Sequence, residues 1–117
     1  MNKLDVFGML ISEDLRDAAL NRFLNIESGH CGSDRANELH KKLSSLSESD
    51  RELIRKVLTD VVDSSIHDFL FAIQASNRVK VLVDDMNVVD LSDGLNGEIF
   101  TEDGWFERFS QHKESGI

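Results

Sequence analysis

The spacing of apolar residues predicts helices over roughly the first two thirds of the chain. Ser12 is followed by two acids, as at a capped helix start, and apolar residues then recur at helical spacing from Leu15 as far as Ile26. This first helix is expected to end near Ser28-Gly29. A second helix is predicted to begin at Ser33, and it carries only a narrow apolar stripe.

The third helix has the strongest pattern. Ser49 and Glu52 have the spacing of a capping box, and one apolar face follows, made of Leu53, Ile54, Val57, Leu58, Val61, Val62 and Ile66. Between Ile66 and Ile73 the apolar residues point nearly all round the helix axis. A helix that is apolar on every side is buried on every side, so the end of this helix is predicted to form the centre of the core.

After Ser76-Asn77 the period changes from helical to alternating. Val79–Val83 and Val88–Leu91 are predicted to pair as a β-hairpin around a turn at Asp84–Asn87. The turn has no Asn-Gly or Asp-Gly pair, so the register is left open. We expect the hairpin to pack on the third helix, and Glu98–Phe100 is a candidate for a third short strand.

A short final helix is predicted to begin after Thr101. Phe100, before its cap, is placed to pack on Trp105 as a hydrophobic staple, and residues after His112 are expected to fray. The whole chain, residues 1–117, is therefore predicted to be a single α+β domain. It would contain three N-terminal helices, a β-hairpin and a short C-terminal helix.

Charge is concentrated in residues 84–103, called here the acidic stretch. The chain has 22 acids and 13 bases, and seven of its nine excess negative charges lie in this stretch. The seven acids are Asp84, Asp85, Asp90, Asp93, Glu98, Glu102 and Asp103. Concentrated charge of one sign attracts a partner of the opposite sign and speeds the encounter. The stretch therefore predicts a binding surface for a basic protein, with Trp105 as a candidate apolar anchor. The alternatives are a solvated loop and a Trp105 packed in the core.

Overall charge and composition exclude several other partners. A sequence pI near 4.7 argues against direct binding to nucleic acid or to an anionic membrane surface. The apolar run Val6–Ile11 is shorter than a signal peptide or a membrane helix requires. Cys31 is the only cysteine, so no internal disulfide can form. These features predict a cytoplasmic protein.

No motif for catalysis, cofactor binding or metal binding is complete, so we predict a protein that is not an enzyme and has no cofactor. A calcium-binding loop aligned on Gly97 lacks two of its required carboxylates, although an irregular oxygen-rich cation site stays open. The rival is a metal-dependent enzyme using Asp60, Asp63 and His67, which share one face of the third helix. His30-Cys31 and His40 are too few for a structural zinc site, and a reactive thiol paired with a histidine base would need a positive, partly exposed environment that the sequence does not show.

Two segments carry a family resemblance: Ser65–Gln74, with the sequence SIHDFLFAIQ, and Leu91–Trp105, with the sequence LSDGLNGEIFTEDGW. Both resemble segments of small uncharacterised bacterial proteins. With its size and acidity, the chain is similar to immunity proteins of bacterial toxin systems. This resemblance implies an acidic inhibitor that binds a basic toxin, and it identifies no residue.

A second hypothesis, from another class, is a structural or regulatory homo-oligomer. It would form a homodimer through the apolar end of the third helix and the aromatic final helix.

Overall fold

The computed structural model describes residues 1–117 and is mostly helical, with one two-stranded antiparallel sheet. The chain begins with one helical run made of α1 (Lys3–Leu10), a π-helical segment (Ile11–Asp17) and α2 (Ala18–Ser28). Helices α3 (Asp34–Ser44) and α4 (Glu48–Ala75) follow, and then the hairpin strands β1 (Leu82–Val83) and β2 (Met86–Asn87). The chain continues through 3₁₀ turns at Val88–Leu91 and Leu95–Gly97 to α5 (Trp105–Phe109). The broad α+β prediction is confirmed. The predicted number of helices is wrong, because four α-helices precede the hairpin instead of three.

The first helical run begins nine residues earlier than predicted, at Lys3 instead of Ser12. The side-chain oxygen of Asn2 accepts a hydrogen bond from the backbone N–H of Asp5 at 2.7 Å, which caps the helix. Ser12 is instead buried inside the run, where its hydroxyl donates to the carbonyl of Gly8 at 2.8 Å. A serine followed by acids is therefore not a helix start when an earlier cap is available.

The π-helical segment decides which side chains of this run face the core. Its wider turn changes the phase of the helix, and such segments are rare and often occur at functional sites. As a result Arg16 and Asp17 are buried, whereas Leu15, expected on the apolar face, is 43% exposed. Helical periodicity alone predicts the opposite orientation for these three residues.

The predicted end of the first helix, now the end of α2, and the predicted start of the second, now the start of α3, are confirmed. Gly29 adopts a left-handed conformation with φ of 88° just after α2. The N–H of His30 then donates to the carbonyl of Asn25 at 2.8 Å, as in a Schellman motif. Ser33 caps α3 by accepting a hydrogen bond from the N–H of Ala36 at 3.1 Å.

Helix α4 is the longest element, with 28 residues. It is capped by Ser47, two residues before the predicted cap at Ser49, and it ends at Ala75, as expected. Ile66, Leu70 and Ile73 are buried, but Phe69 and Phe71 are 46% and 58% exposed. The prediction of burial on every side is therefore wrong, because the chain supplies packing partners for only one face of this helix.

The hairpin is shorter than predicted. Val83 pairs with Met86 and Leu82 with Asn87, so the turn contains only two residues. The hairpin lies against α1 instead of α4. Val88–Leu91 forms a 3₁₀ turn because the Asn87 side chain caps it, accepting from the N–H of Val89 at 3.1 Å. No third strand forms at Glu98–Phe100.

The hydrophobic core lies at one end of an elongated molecule that measures 49 × 29 × 25 Å. It combines residues from the first helical run, from the second half of α4 and from the segment after the hairpin: Phe7, Ile11, Ile66, Leu70, Ile73, Val88, Leu95, Ile99, Trp105 and Phe106. By contrast, no residue between positions 21 and 58 is buried. This part, called here the helical arm, contains most of α2, all of α3 and the start of α4.

Candidate protein-binding surface

The acidic stretch is an irregular segment fixed to the core by apolar side chains between its acids. Val88, Leu95 and Ile99 are all fully buried. The N–H of Leu95 donates to the side-chain oxygen of Gln74 at 2.9 Å, which ties the stretch to the end of α4. Buried anchors that alternate with exposed acids hold the carboxylates on the outside of a well-packed segment.

Asp84 and Asp85 form the hairpin turn. Both have positive φ angles, 47° and 69°. A two-residue hairpin turn with two left-handed residues is type I′, which Asp tolerates better than most residues that are not glycine. The absence of an Asn-Gly or Asp-Gly pair therefore did not prevent a tight turn. The turn projects two carboxylates into solvent.

Almost all of the carboxylates in the stretch are free of ion pairs. Six are exposed: Asp84, Asp85, Asp90, Asp93, Glu102 and Asp103. Glu98 is half-buried and accepts a hydrogen bond from the Ser92 hydroxyl at 2.8 Å. Only Asp84 has a cationic partner, the Lys3 ammonium at 3.2 Å. The structure thus leaves six of the seven negative charges without an ion pair.

An apolar recess of about 500 Å³ lies beside these acids. Met1, Leu4, Met86 and Leu91 line it, together with Asn2 and Lys3. Three acids lie next to residues that line the recess. Asp85 and Asp90 directly precede the lining residues Met86 and Leu91, and Asp84 forms an ion pair with the lining residue Lys3. An apolar centre with a charged rim is the usual arrangement of a protein interface.

Trp105 is not available as the apolar anchor. Its side chain is fully buried, and its ring meets Phe7 edge-on with centroids 5.8 Å apart. Phe100 packs edge-on against Phe106 at 6.2 Å. The candidate binding residue Trp105 is therefore a core residue, and the recess replaces it as the apolar feature near the acids.

Arg108 lies close to the acidic stretch, but its guanidinium already forms an ion pair with Asp5. Its guanidinium donates to both carboxylate oxygens of Asp5, at 3.1 and 2.8 Å. These hydrogen bonds lower the pKa of Asp5 and raise that of Arg108, and the charges of Glu98 and Asp103 raise the pKa of Arg108 further. This pair fixes α1 to α5 and leaves little positive charge to offset the acids nearby.

A second polar cluster, which sequence reasoning missed, is centred on the buried Arg16. Its guanidinium makes two hydrogen bonds to Asp63, at 2.7 and 3.0 Å, and lies 4.2 Å from the centroid of the Phe106 ring. It also donates to the Ser110 hydroxyl at 3.0 Å and to the carbonyls of Lys113 and Glu114. No sequence signal separates Arg16 from the exposed arginines, because its burial results from the π-helical segment.

Arg16 and hydrogen bonds from neighbouring elements hold the last residues of the chain in place. The backbone N–H of Ile117 donates to the Thr59 hydroxyl at 3.2 Å, and that of Glu114 donates to the Glu107 carboxylate at 3.0 Å. The expectation that residues after His112 fray is therefore wrong. The cluster has its hydrogen bonds satisfied within the protein, so it is a structural clamp.

The three residues of the metal-site rival do not come together. Asp63 is bound by Arg16, and His67 contacts the side chains of Asp68 at 3.2 Å and Asn96 at 3.3 Å. Asp60 is exposed. Nowhere does the structure place three His, Cys, Asp or Glu side chains where they could hold a metal ion.

The histidines near Cys31 have structural contacts. The Nδ1 atom of His40 lies 2.8 Å from the carbonyl of Ile26, at the end of α2, and that of His30 lies 2.8 Å from the Ser28 hydroxyl. Cys31 is half-buried and unpaired. These contacts close the loop between α2 and α3, and neither of them involves the thiol.

Comparison with known proteins adds no family to this picture. No protein-family model matches the chain, and no curated protein or solved structure is similar enough to count as a match. None of the helices combines the length and the apolar character needed to cross a membrane.

Proposed function

We propose that this protein is an acidic protein-binding module that uses the acidic stretch and the adjoining recess to bind a basic protein. The observation that carries the proposal is the apolar recess lined by Met86 and Leu91, with exposed and mostly unpaired carboxylates around it. The site residues are Asp84, Asp85, Asp90, Asp93, Glu98, Glu102 and Asp103.

The electrostatic part of the proposal rests on uncompensated charge. Six carboxylates without ion pairs in twenty residues repel one another, and this repulsion costs stability in the free protein. Lysines and arginines of a partner would remove that cost. Charges at the rim of an interface act mainly on the association rate and its salt dependence, whereas an ion pair that is desolvated on binding contributes more to affinity.

The apolar part of the proposal concerns the centre of the interface. Binding energy concentrates in a few side chains that fill water-excluding pockets, with a polar rim around them. A recess of about 500 Å³ can take one large side chain of the partner. A long cationic side chain suits this place, because its methylene groups would contact Met86 while its charge reaches the acids.

The class of partner follows from the family resemblance, which implies an immunity protein and a basic toxin in the bacterial cytoplasm. A binding role rather than a catalytic one is supported by Asp63, which Arg16 already holds. The single half-buried Cys31 suits a reducing compartment.

The test compares two charge variants with equal net charge. Asp84→Asn, Asp85→Asn, Asp90→Asn and Asp93→Asn are combined in the first variant. Asparagine also tolerates the left-handed turn, so the hairpin should stay intact. The control combines Glu13→Gln, Asp14→Asn, Glu38→Gln and Glu52→Gln, which are exposed acids elsewhere.

Basic proteins encoded beside the gene are the candidates, and affinity is measured by calorimetry at about 50 and 200 mM salt. We expect the first variant to lose at least about tenfold in affinity and most of the salt dependence. The control should keep both. Met86→Ala should weaken binding without changing the salt dependence. Equal affinities for the two charge variants would place the interface elsewhere.

A further inference from the structure

A second surface, distinct from the acidic stretch, lies on α4. Apolar residues recur there at helical spacing from Leu53 to Val61, and Phe69 lies about two turns further along the same side. This face is called here the open stripe: Leu53, Ile54, Val57, Leu58, Val61 and Phe69. Leu15 and Ala19 continue it onto the first helical run. The hairpin, α5 and the acidic stretch all pack elsewhere, and four of the six side chains of this face are exposed while Ile54 and Leu58 are half-buried.

The exposure of the open stripe is large for apolar side chains. Leu53 is 60% exposed, and Val57 and Val61 are each 54% exposed. Scattered exposed apolar residues are normal, but a contiguous apolar face marks an interaction site. The stripe begins within the helical arm, where no residue is buried. Packing within one chain therefore does little to stabilise this part of α4.

The solvent-accessible surface of the chain is larger than that of a compact protein of the same mass. A compact protein of 13.2 kDa is expected to expose about 6,400 Å², whereas this chain exposes 7316 Å². Its radius of gyration is 16.4 Å, against about 13 Å for a compact chain of this length. The excess of about 900 Å² is close to the roughly 800 Å² that each partner buries in a standard interface.

The charge of this part of α4 favours a second copy as the occupant over a basic partner. The first half of α4, residues 48–60, has four acids and three bases, so it is nearly neutral. A basic partner would find no excess of negative charge there to complement its own positive charge. An identical copy would meet neutral apolar residues, with charges of both signs beside them. Meanwhile the acidic stretch, which would repel a second copy, is tied to the far end of α4 through Gln74.

We infer that this protein forms a two-fold symmetric dimer in which the open stripes of two α4 helices pack against each other. A two-fold axis places the same face on both subunits, so one self-complementary stripe is sufficient. With 28 residues, α4 is about 42 Å long, enough for an extended helix pair. This arrangement differs from the predicted dimer, because the aromatic residues Trp105 and Phe106 are fully buried in the core.

The test uses two substitutions matched in chemistry and exposure. Val57 lies in the open stripe and Val79 lies in the loop before the hairpin, and both are 54% exposed. Val57→Glu places a carboxylate in each half of the proposed interface, and Val79→Glu adds the same charge outside it. Neither position is buried, so both variants should fold, as circular dichroism would verify.

The mass in solution is measured by light scattering and sedimentation between about 1 and 100 µM, because interfaces of standard size have dissociation constants in the micromolar range or below. We expect about twice 13.2 kDa for the unmodified protein and for Val79→Glu. Burying two unpaired carboxylates should raise the dissociation constant of Val57→Glu more than about 100-fold. A monomer for the unmodified protein at every concentration would overturn the inference, as would an unchanged dimer for Val57→Glu.

Discussion

Replacing Arg16 with methionine removes the only fully buried cation and keeps a similar apolar length. Its guanidinium donates to both oxygens of Asp63, to Ser110, and to the carbonyls of Lys113 and Glu114. The Asp63 carboxylate is 12% exposed and has no other hydrogen-bond partner. The substitution therefore leaves a nearly buried charge without a partner.

The expected loss in the free energy of unfolding follows from the contacts that Arg16→Met removes. Removing one partner of a buried ion pair costs about 3–5 kcal/mol, mainly because the remaining charge is uncompensated. Lys113 and Glu114 are exposed, so water can replace Arg16 at their carbonyls. Ser110 keeps its hydrogen bond to Asp17 at 2.5 Å. We expect a loss of about 4 kcal/mol, out of the roughly 6–18 kcal/mol typical of a chain this long.

The assay is urea unfolding at pH 7 and constant protein concentration, followed by circular dichroism. Arg22→Met is the matched control, since Arg22 is exposed on the same helical run and makes no ion pair or side-chain hydrogen bond. It should change the free energy of unfolding by no more than about 0.5 kcal/mol. A double-mutant cycle of Arg16→Met with Asp63→Asn should give a coupling energy above about 1 kcal/mol.

Two results would refute this reasoning. If Arg16→Met and Arg22→Met destabilise the protein equally, the buried pair adds nothing beyond a surface charge. If the double-mutant cycle closes with no coupling, any loss at Arg16 comes from its contact with Phe106 or with the end of the chain, and not from Asp63.

Two further outcomes follow from contacts of α1. Arg108 lowers the pKa of Asp5 below its ordinary value of 3.8, so this pair stabilises the folded protein above that pH and ceases to do so as Asp5 is protonated on acidification. Asp5→Asn should therefore have a free energy of unfolding about 1 kcal/mol lower than that of the unmodified protein at pH 6, and the difference should disappear below pH 3.8. A difference that stays constant with pH would show that the Asp5–Arg108 pair is not its cause. Gly8→Ala should destabilise the protein by about 3 kcal/mol in thermal unfolding, because an added Cβ would overlap the Trp105 indole ring. Gly32→Ala, where a Cβ meets open space, should be nearly neutral, and equal effects at the two glycines would disprove the close contact.

Local signals predicted the helix ends well where a single residue decides them. Gly29 ends α2 because only a left-handed residue closes the last turn, and Ser33 caps α3. The π-helical segment was not predictable, since no local signal marks it and it buries Arg16 against residues more than 90 positions away. The pattern of α4 indicated an apolar face correctly but could not say that the chain leaves much of it uncovered.

The candidate surface was only partly predictable. An acidic stretch between turns can be expected to reach solvent, and six of its seven acids are exposed in the structure. The recess could not be inferred, because it joins Met1 and Leu4 to residues about 80 positions later. Trp105 carried no signal that separates a binding residue from a core residue, since both roles favour large aromatic side chains.

The separation of the core from the helical arm has a consequence for the order of folding. The contacts of the arm join residues that are closer in sequence than those of the core, and the ion pair of Glu27 with Arg55 spans 28 positions. Arg16 instead reaches Glu114, 98 positions away, so the core can close only after a long loop has been ordered. Local contacts form quickly and distant ones slowly. We therefore expect the helical arm to form early and to be only weakly stable by itself, and the clamp around Arg16 to form late and to fix the final structure.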